Sequence, residues 1–281
     1  MRRPDVVVAN TVQSLLHLSV PCRLRRISLV SVVRDLGEGG NRSKAAVTMY
    51  RLLVRMFARA VVFNSEMTRL SWKISVPSRV IRTAVPDPYF SATWVAPPVS
   101  TFVMVGRIAP WKGQDDVVEA ISAMRAEGEE VELILVGAET FGETERGSDT
   151  RPYVHQTGFV SSPWTYMSNA TAVIHASRTP EPLGQVVCQA AAVGAPVVCA
   201  DKGGQMEWLH DGETCLTFEA GNVDSLVRAL RKAMRHPMET AAMAHRAHDA
   251  AQDFRTERAY MGLREWVLVH GVGREQNLDV G

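Results

Sequence analysis

Short apolar runs alternate with amphipathic stretches along nearly the whole chain. In its first part, three apolar runs are typical of short buried strands: residues 5–9, 27–33 and 60–63. Between the last two runs, the spacing of residues 43–59 predicts a helix. The apolar face of that helix is predicted to have four members: Met49, Leu52, Leu53 and Phe57. Asn64 and Ser65 then predict the cap of another helix, which reaches about residue 74.

After residue 100 the alternation becomes more regular. Further apolar runs predict strands at residues 102–105, 131–136, 154–156, 172–175, 196–200 and 214–218. Amphipathic spacing predicts helices at residues 115–125, 184–193, 223–234 and, without interruption, 239–269. A polar stretch at 139–152 predicts a loop. Repeated strand and helix units of this length predict an α/β fold, in which helices cover both faces of a parallel sheet.

Prolines interrupt this rhythm between residues 83 and 100, and they predict a linker: Pro86, Pro88, Pro97 and Pro98. We therefore predict four segments along the chain. They are a partial first domain at 1–90, a linker at 91–100, a second domain at 101–235 and closing helices at 236–281.

Composition places the chain among ordinary folded proteins. With 46% hydrophobic and 22% charged residues, it can bury one or two cores, and no apolar run reaches the ~18 residues that a membrane span needs. Arg2 and Arg3 precede no clean apolar stretch with a small-residue cleavage site, so we expect no signal peptide and a cytoplasmic protein. Cysteines without Cys-x-x-Cys spacing predict buried free thiols: Cys22, Cys188, Cys199 and Cys215.

Charge is distributed unevenly along the chain. Residues 1–90 contain 15 Lys/Arg against 5 Asp/Glu, and the remainder contains 16 against 25, which gives the net charge of +1. The basic part predicts an anionic partner, such as lipid head groups at the inner membrane face or a phosphorylated acceptor. Alternatively, these arginines are solvated or pair with the acidic part. We expect no nucleic-acid partner.

Candidate chemistry lies in two segments where an apolar run ends and a helix begins. In a parallel sheet such turns collect at one edge, where ligands bind. The first segment places Arg107 and Lys112 after Gly106, and the second places Glu181 before Gly184. Two cations and the unpaired N–H groups of a helix start suit a diphosphate, and they stabilise its charge as it leaves. Because no Asp-x-Asp occurs in the chain, we expect no metal ion, and we expect no cofactor.

Each of these residues also has a plainer interpretation. Cations at helix starts are common on surfaces, and Glu181 is compatible with a simple charge at a helix N-terminus. A histidine at a strand end, such as His175, is often merely packed or solvated. His245 and His248 share a helix face, but without a third ligand nearby they do not predict a metal site. The functional prediction therefore depends on the combination of the segments.

Five motifs in residues 101–235 occur in an order that resembles retaining glycosyltransferases of family four. They are Val105-Gly106-Arg107 through Lys112-Gly113, Leu135-Val136-Gly137, Gly158-Phe159-Val160, Glu181-Pro182-Leu183-Gly184, and Gly203-Gly204-Gln205-Met206-Glu207 with Asp211-Gly212-Glu213. The resemblance implies a GT-B-like architecture, two Rossmann-like domains of which the C-terminal one holds a nucleotide sugar.

The resemblance also implies roles for individual residues. Arg107 and Lys112 are expected to bind the donor diphosphate and Glu181 to contact hydroxyls of the donor sugar, so these are the candidate catalytic residues. Backbone groups of Gly184 and Gln185 are expected to touch phosphate or sugar.

Further candidates lie around the nucleotide. Gly158, Phe159 and Val160 are expected beside the base, and Gly106 keeps the backbone open for the phosphates. Gln189 stands where the family pattern has a second Glu that accepts the ribose hydroxyls. A neutral amide forms weaker hydrogen bonds than a carboxylate, by about 1 kcal/mol, so we expect lower donor affinity.

A thinner resemblance covers the first 90 residues, carried by residues 4–10, 34–36, 63–66 and 80–87. It implies the later part of the family's N-terminal domain, and it adds Asn10 and Arg34 as candidate donor-site residues. Because the family's first strands and Gly-rich loop have no counterpart here, this domain is expected to be truncated. Unpaired strand edges would then favour homo- or hetero-oligomers, a partner protein or an anionic membrane.

We predict a transferase that moves a sugar from a UDP- or GDP-linked donor to an acceptor hydroxyl with retention of configuration. The expected mechanism is front-face, in which the leaving diphosphate helps to deprotonate the incoming hydroxyl. Two alternatives remain open. One is a catalytically weak or inactive donor-binding subunit that needs a partner, and the other is an epimerase or phosphorylase of the same fold.

Overall fold

A computed structural model describes residues 4–39, 43–138 and 149–271 of the chain. The chain divides into two compact units, one running up to Ala84 and resuming at Thr256, the other Val85–Arg255. These divisions differ from the segment ends predicted at residues 90, 100 and 235. Residues 139–148 of the predicted polar loop, and residues 1–3 and 272–281 of the predicted end segments, lie outside the described residues.

The first unit is a parallel sheet with strand order β1-β2-β3-β4. The strands are β1 (Val6–Ala9), β2 (Ser28–Val33), β3 (Ala60–Phe63) and β4 (Ser78–Val80). Three helices connect them in turn: α1 (Val12–Leu24), α2 (Lys44–Phe57) and α3 (Glu66–Trp72). The first three strands confirm the predicted runs to within one residue. Neither α1 nor β4 was predicted, because α1 has apolar residues on several faces and β4 has only three residues.

The orientation of α2 corrects the predicted apolar face. Its buried residues are Val47, Tyr50 and Val54, which pack in the core of the first unit. Met49 and Leu52 are instead 52% and 56% exposed. The apolar residues of α2 surround more of the helix than one face, and the sheet covers only the part nearest to it.

The second unit is a parallel sheet with strand order β10-β9-β8-β5-β6-β7. The strands are β5 (Ser100–Val105), β6 (Val131–Val136), β7 (Val154–Gly158), β8 (Ala172–His175), β9 (Val197–Ala200) and β10 (Leu216–Phe218). The helices between Val85 and Ala251 are α4 (Asp87–Ser91), α5 (Gln114–Ala126), α6 (Trp164–Met167), α7 (Gln185–Val193), α8 (Val223–Arg235) and α9 (Pro237–Ala251). These elements confirm the predicted α/β fold.

Two cores lie on opposite faces of this second sheet. Phe102 and Met104 of β5 pack in one core with α5 and α8, whereas Val103 packs in the other with α7 and α9. Successive residues of a strand point to opposite faces, so a strand buried on both faces must be apolar throughout. The continuous apolar runs of the sequence reflect this arrangement.

The predicted linker contains a packed helix. Helix α4 begins within it, and Tyr89 is only 5% exposed in the second unit's core. Pro88 is tolerated there because the first turn of a helix has no partner for a backbone N–H.

The predicted helix at 239–269 is interrupted. A turn at residues 252–255 separates α9 from α10 (Thr256–Gly271), because Phe254 is buried in the second unit's core. Helix α10 returns to the first unit, where it contacts β2 and β3.

The cysteines are buried and free, as predicted, and the fold brings the Sγ atoms of Cys199 and Cys215 to 4.0 Å. Within the described ranges, no helix is both long and apolar enough to cross a bilayer.

Candidate functional site

Two turns at the carboxyl edge of the second sheet form the candidate site. One follows β5 and runs from Gly106 to Gly113, and the other follows β8 and ends at Gly184. Because β5 and β8 are neighbours in the sheet, the two turns lie side by side. Gly113 permits their close contact, since its φ is +80° and a Cβ atom there would lie 2.2 Å from the carbonyl oxygen of Ala176.

Three donors converge on one oxygen of Glu181. Lys112 Nζ lies 2.7 Å and His175 Nε2 lies 2.9 Å from Glu181 Oε1, and the Ser177 hydroxyl donates to the same atom. A carboxylate only accepts, so the proton of this contact belongs to His175 Nε2. His175 is 4% exposed, and the side chains of Lys112 and Glu181 are each 14% exposed.

These contacts keep Glu181 ionised. Burial by itself raises the pKa of its carboxyl, but the hydrogen bonds and charges of His175 and Lys112 outweigh burial and hold that pKa well below its usual range. No described residue hydrogen-bonds Oε2 of the same carboxylate. Glu181 therefore has one anchored oxygen and one that can accept hydrogen bonds from a ligand.

A second set of contacts ties the two turns together. The Arg178 guanidinium forms two hydrogen bonds, of 2.9 and 2.5 Å, with the carboxylate of Asp116 near the start of α5. The backbone N–H of Arg178 donates to the carbonyl of Trp111 at 2.8 Å. Gln114 Nε2 donates to the Arg107 carbonyl at 2.9 Å. The position of Glu181 is thus linked to that of the turn that holds Arg107 and Lys112.

A cavity of about 580 Å³ lies beside the first of these turns. It is lined by predicted site residues, namely Gly106, Arg107, Phe159, Val160 and Gln189. Phe159 is 82% exposed, which leaves its ring available to stack on a planar base. The exposed Arg107 guanidinium lies 5.8 Å, and Lys112 Nζ 4.6 Å, from the Trp111 ring centroid. The cavity therefore combines an aromatic wall with nearby positive charge.

Gly184 and Gln185 begin helix α7. Gly184 adopts the left-handed conformation with φ of +71°, and no side chain of the described residues caps the first turn. An uncapped helix N-terminus favours an anion. Gly158 ends β7 with φ of +69° and pairs with Gly137 beside the cavity.

Asn10 and Arg34 lie in the first unit, after β1 and β2 respectively. Arg34 Nη2 donates to the Asn10 carbonyl at 3.1 Å. The structure therefore brings these two candidates together. Their role toward a donor stays a prediction.

Sequence reasoning missed several residues of the second unit's site. His175 and Ser177 anchor Glu181, although His175 had been assigned no role, and Arg178 and Asp116 join the two turns. A signal was present, since His175, Ser177 and Glu181 fall within seven residues after one strand. Tyr89 also lines the cavity, packs edge-on against Trp164 at 5.2 Å between centroids, and has a hydroxyl pKa raised by burial.

Metal ligation has no candidate in residues 4–39, 43–138 and 149–271, where no group of three or more His, Cys, Asp or Glu side chains is placed to hold an ion. Independence from metals and from cofactors stays a prediction.

Comparison with known families gives one match over more than half of the chain. The model of the family described as "Glycosyl transferases group 1" matches residues 96–253. Helix α9 lies inside the matched region.

Curated relatives match about half of the chain. A GDP-mannose-dependent monoacylated alpha-(1-6)-phosphatidylinositol monomannoside mannosyltransferase of Corynebacterium glutamicum is 32% identical over 158 residues, which cover 52% of this chain and 41% of that protein. A GDP-mannose-dependent alpha-(1-6)-phosphatidylinositol monomannoside mannosyltransferase of Mycobacterium tuberculosis is 30% identical over 142 residues, 46% of this chain and 37% of that protein. The chain thus matches about two fifths of the length of these relatives.

Solved structures match over nearly the whole chain. Anabaena HepE in complex with UDP has a TM-score of 0.86 at 23% identity, covering 94% of this chain and 79% of that chain. Sucrose-phosphate synthase from Thermosynechococcus elongatus has a TM-score of 0.76 at 17% identity, covering 94% and 73% respectively. This likeness shows the GT-B fold, which was the predicted fold class.

Proposed function

Because this chain belongs to the glycosyl transferases group 1 family, we propose that it transfers a sugar from a nucleotide-diphosphate donor to an acceptor hydroxyl with retention of configuration. The observation that carries the proposal is the anchored carboxylate of Glu181. Three donors hold its Oε1, and its Oε2 is left to accept hydrogen bonds from a ligand. Its partner Lys112 belongs to the same turn as Arg107, which lines the cavity.

In this proposal the donor diphosphate binds Arg107, Lys112 and the start of α7. Lys112 already pairs with Glu181. An ammonium group has three N–H donors, so Lys112 can keep that contact and also donate to a phosphate oxygen. Its charge and the Arg107 guanidinium would then stabilise the diphosphate as the bond to the sugar breaks. Glu181 Oε2 would accept a hydroxyl of the sugar and fix its position.

The base and ribose are assigned to the cavity. Phe159 and Val160 provide an apolar wall for the base, and Gln189 faces the same space. The named relatives include GDP-mannose-dependent enzymes and a protein crystallised with UDP, so both nucleotides belong in any donor panel.

For the acceptor, we propose only that it carries the hydroxyl group that receives the sugar. The excess of basic residues in 1–90 supports a further part of the proposal, a peripheral contact with an anionic membrane. A cytoplasmic location stays a prediction.

Calorimetry with UDP, GDP and their sugar conjugates tests the donor site. We expect Arg107→Ala and Lys112→Ala each to weaken donor binding and turnover at least tenfold, because charge-assisted phosphate contacts are worth about 1.5 to 3 kcal/mol. Arg228→Ala and Lys232→Ala, exposed cations on α8, are the matched controls and should bind normally. Unchanged donor affinity in both site variants would reject the assignment.

Turnover separates the remaining alternatives. We expect a sugar-transfer product whose anomeric configuration, read by NMR, matches the donor, and we expect turnover to persist in EDTA. Donor binding without turnover would favour a binding subunit that needs a partner. This alternative is tested because Gln189 stands where the family pattern has a Glu. Interconversion of sugars without an acceptor would favour an epimerase.

A further inference from the structure

Two helices of the first unit carry stripes of large apolar side chains that face solvent. On α1 they occur at four-residue steps: Leu16, Val20 and Leu24, which are 47%, 55% and 80% exposed. On α2 they occur at three- and four-residue steps: Met49, Leu52 and Met56, which are 52%, 56% and 55% exposed. Each stripe follows one side of its helix.

The two stripes lie on one surface. Strands β1, β2 and β3 are parallel and adjacent in chain order, so right-handed connections place α1 and α2 side by side on one face of the sheet. Val20 is five positions after buried Leu15, and Leu52 is five positions after buried Val47. At ~100° per residue, each therefore points roughly 140° away from the core. We call this surface, formed by the two stripes, the α1/α2 face.

Positive charge borders the α1/α2 face. Neither α1 nor α2 contains an acidic residue. Exposed arginines stand in the last turn of each helix and just beyond it: Arg23 and Arg25 for α1, and Arg55 and Arg59 for α2. None of these four forms an ion pair within the described parts of the chain. Both helices run antiparallel to the same parallel strands, so their C-terminal ends, with the arginines, lie at one edge of the unit.

We propose that the α1/α2 face docks on an anionic lipid bilayer. The apolar stripes would enter the boundary between head groups and acyl chains, and the arginines would pair with lipid phosphates. An arginine in the last turn is also explained by the helix dipole, but Arg25 and Arg59 lie beyond the helix ends, and the dipole does not explain the exposed stripes. The inference rests on one part of the proposed function, the peripheral contact with an anionic membrane. The proposed sugar transfer does not depend on this contact.

Charge favours a bilayer over a second copy of the chain. In a twofold dimer through this face, the surface would meet its own copy, and neither copy would offer an acidic residue of α1 or α2 to the arginines of the other. An anionic bilayer instead presents opposite charge and an apolar interior to the same surface.

Sedimentation of the full chain with lipid vesicles tests the proposal. Vesicles of phosphatidylcholine containing about 30% phosphatidylglycerol should bind the protein at least tenfold more tightly than pure phosphatidylcholine at ~0.1 M NaCl. The double variants Leu52→Glu with Met56→Glu, and Arg55→Glu with Arg59→Glu, should each lose at least tenfold. Met238→Glu (86% exposed on α9) and Arg228→Glu on α8 are matched controls and should bind as the unchanged protein does.

The same variants separate docking from donor chemistry. Their affinity for UDP and GDP should be unchanged, because the donor site is assigned to the second unit. Cooperative urea unfolding like that of the unchanged protein shows that the first unit still folds. Equal binding to both vesicle types, or vesicle binding that the face variants retain, would overturn the proposal. A vesicle-free dimer in analytical ultracentrifugation that Leu52→Glu with Met56→Glu dissociates would also overturn it, because the face would then be a protein interface.

Discussion

His175 is the residue whose role is most sharply testable, because it is buried and touches only one side of the Glu181 carboxylate. Its Nε2 lies 2.9 Å from Glu181 Oε1, and no described residue hydrogen-bonds its buried Nδ1. His175→Ala removes one of three donors from an ionised group that is largely shielded from water. A hydrogen bond to a charged group is worth about 1.5 to 3 kcal/mol. We therefore expect the free energy of unfolding to fall by about 2 to 3 kcal/mol at pH 7.

A double-mutant cycle isolates the contact from the loss of packing. His175→Ala, Glu181→Ala and the double variant are unfolded in urea and followed by tryptophan fluorescence. We expect a coupling energy of about 1.5 to 3 kcal/mol between the two positions. His175→Gln places an amide N–H near the position of Nε2 and should restore part of the loss. A coupling energy under about 0.5 kcal/mol, or no advantage of Gln over Ala, would refute the role of His175.

The pH dependence of the same variant has a definite sign. Because the pKa of Glu181 is lowered in the folded chain, its stabilisation is present above the unfolded pKa of about 4.3 and is lost as pH falls through the folded pKa. Removing His175 takes away one cause of the lowered Glu181 pKa, while burial of the carboxyl continues to raise that pKa. The stability gap between the unchanged protein and His175→Ala should therefore be largest near neutral pH and narrow as pH falls below about 4. Urea titrations from neutral to acidic pH measure that gap, and a gap that widens with acid would contradict this reasoning.

Three further substitutions test the turns and the cavity. Gly113→Ala should lower the free energy of unfolding by about 2 to 4 kcal/mol, more than Gly128→Ala, because Gly128 has a similar positive φ but open space around it. Equal losses of unfolding free energy in urea would exclude a steric clash at Gly113. Arg178→Ala should lower the free energy of unfolding by about 1 to 2 kcal/mol, because it leaves the buried Asp116 carboxylate unpaired; the loss is modest because the Arg178 side chain is half-exposed and its charge is screened by solvent. An unchanged melting temperature would argue against this link. Gln189→Glu should tighten UDP or GDP about fivefold without affecting dideoxynucleotides, and calorimetry showing equal effects would make residue 189 structural.

Much of the second unit could be predicted from sequence because its strands are buried on both faces. A strand such as β9, with all four residues buried, must be apolar throughout, and that signal is local. Helix α1 was missed for the opposite reason. It buries Leu15 and Cys22 but exposes Leu16, Val20 and Leu24, so no single apolar stripe identifies it. The same exposed side chains form part of the α1/α2 face, so here an apolar residue does not indicate a position buried in the core.

The sequence by itself determined which residue types follow each strand, and therefore the family, the fold class and the identity of Arg107, Lys112 and Glu181 as candidates. Only the tertiary structure decided their partners. Lys112 and Glu181 are 69 positions apart, and they meet because β5 and β8 are neighbours in the sheet. Strand order depends on the packing of the whole unit, whereas residue patterns report only on neighbours along the chain. The anchored carboxylate, with one oxygen held and one left for a ligand, therefore appears only once the sheet is assembled.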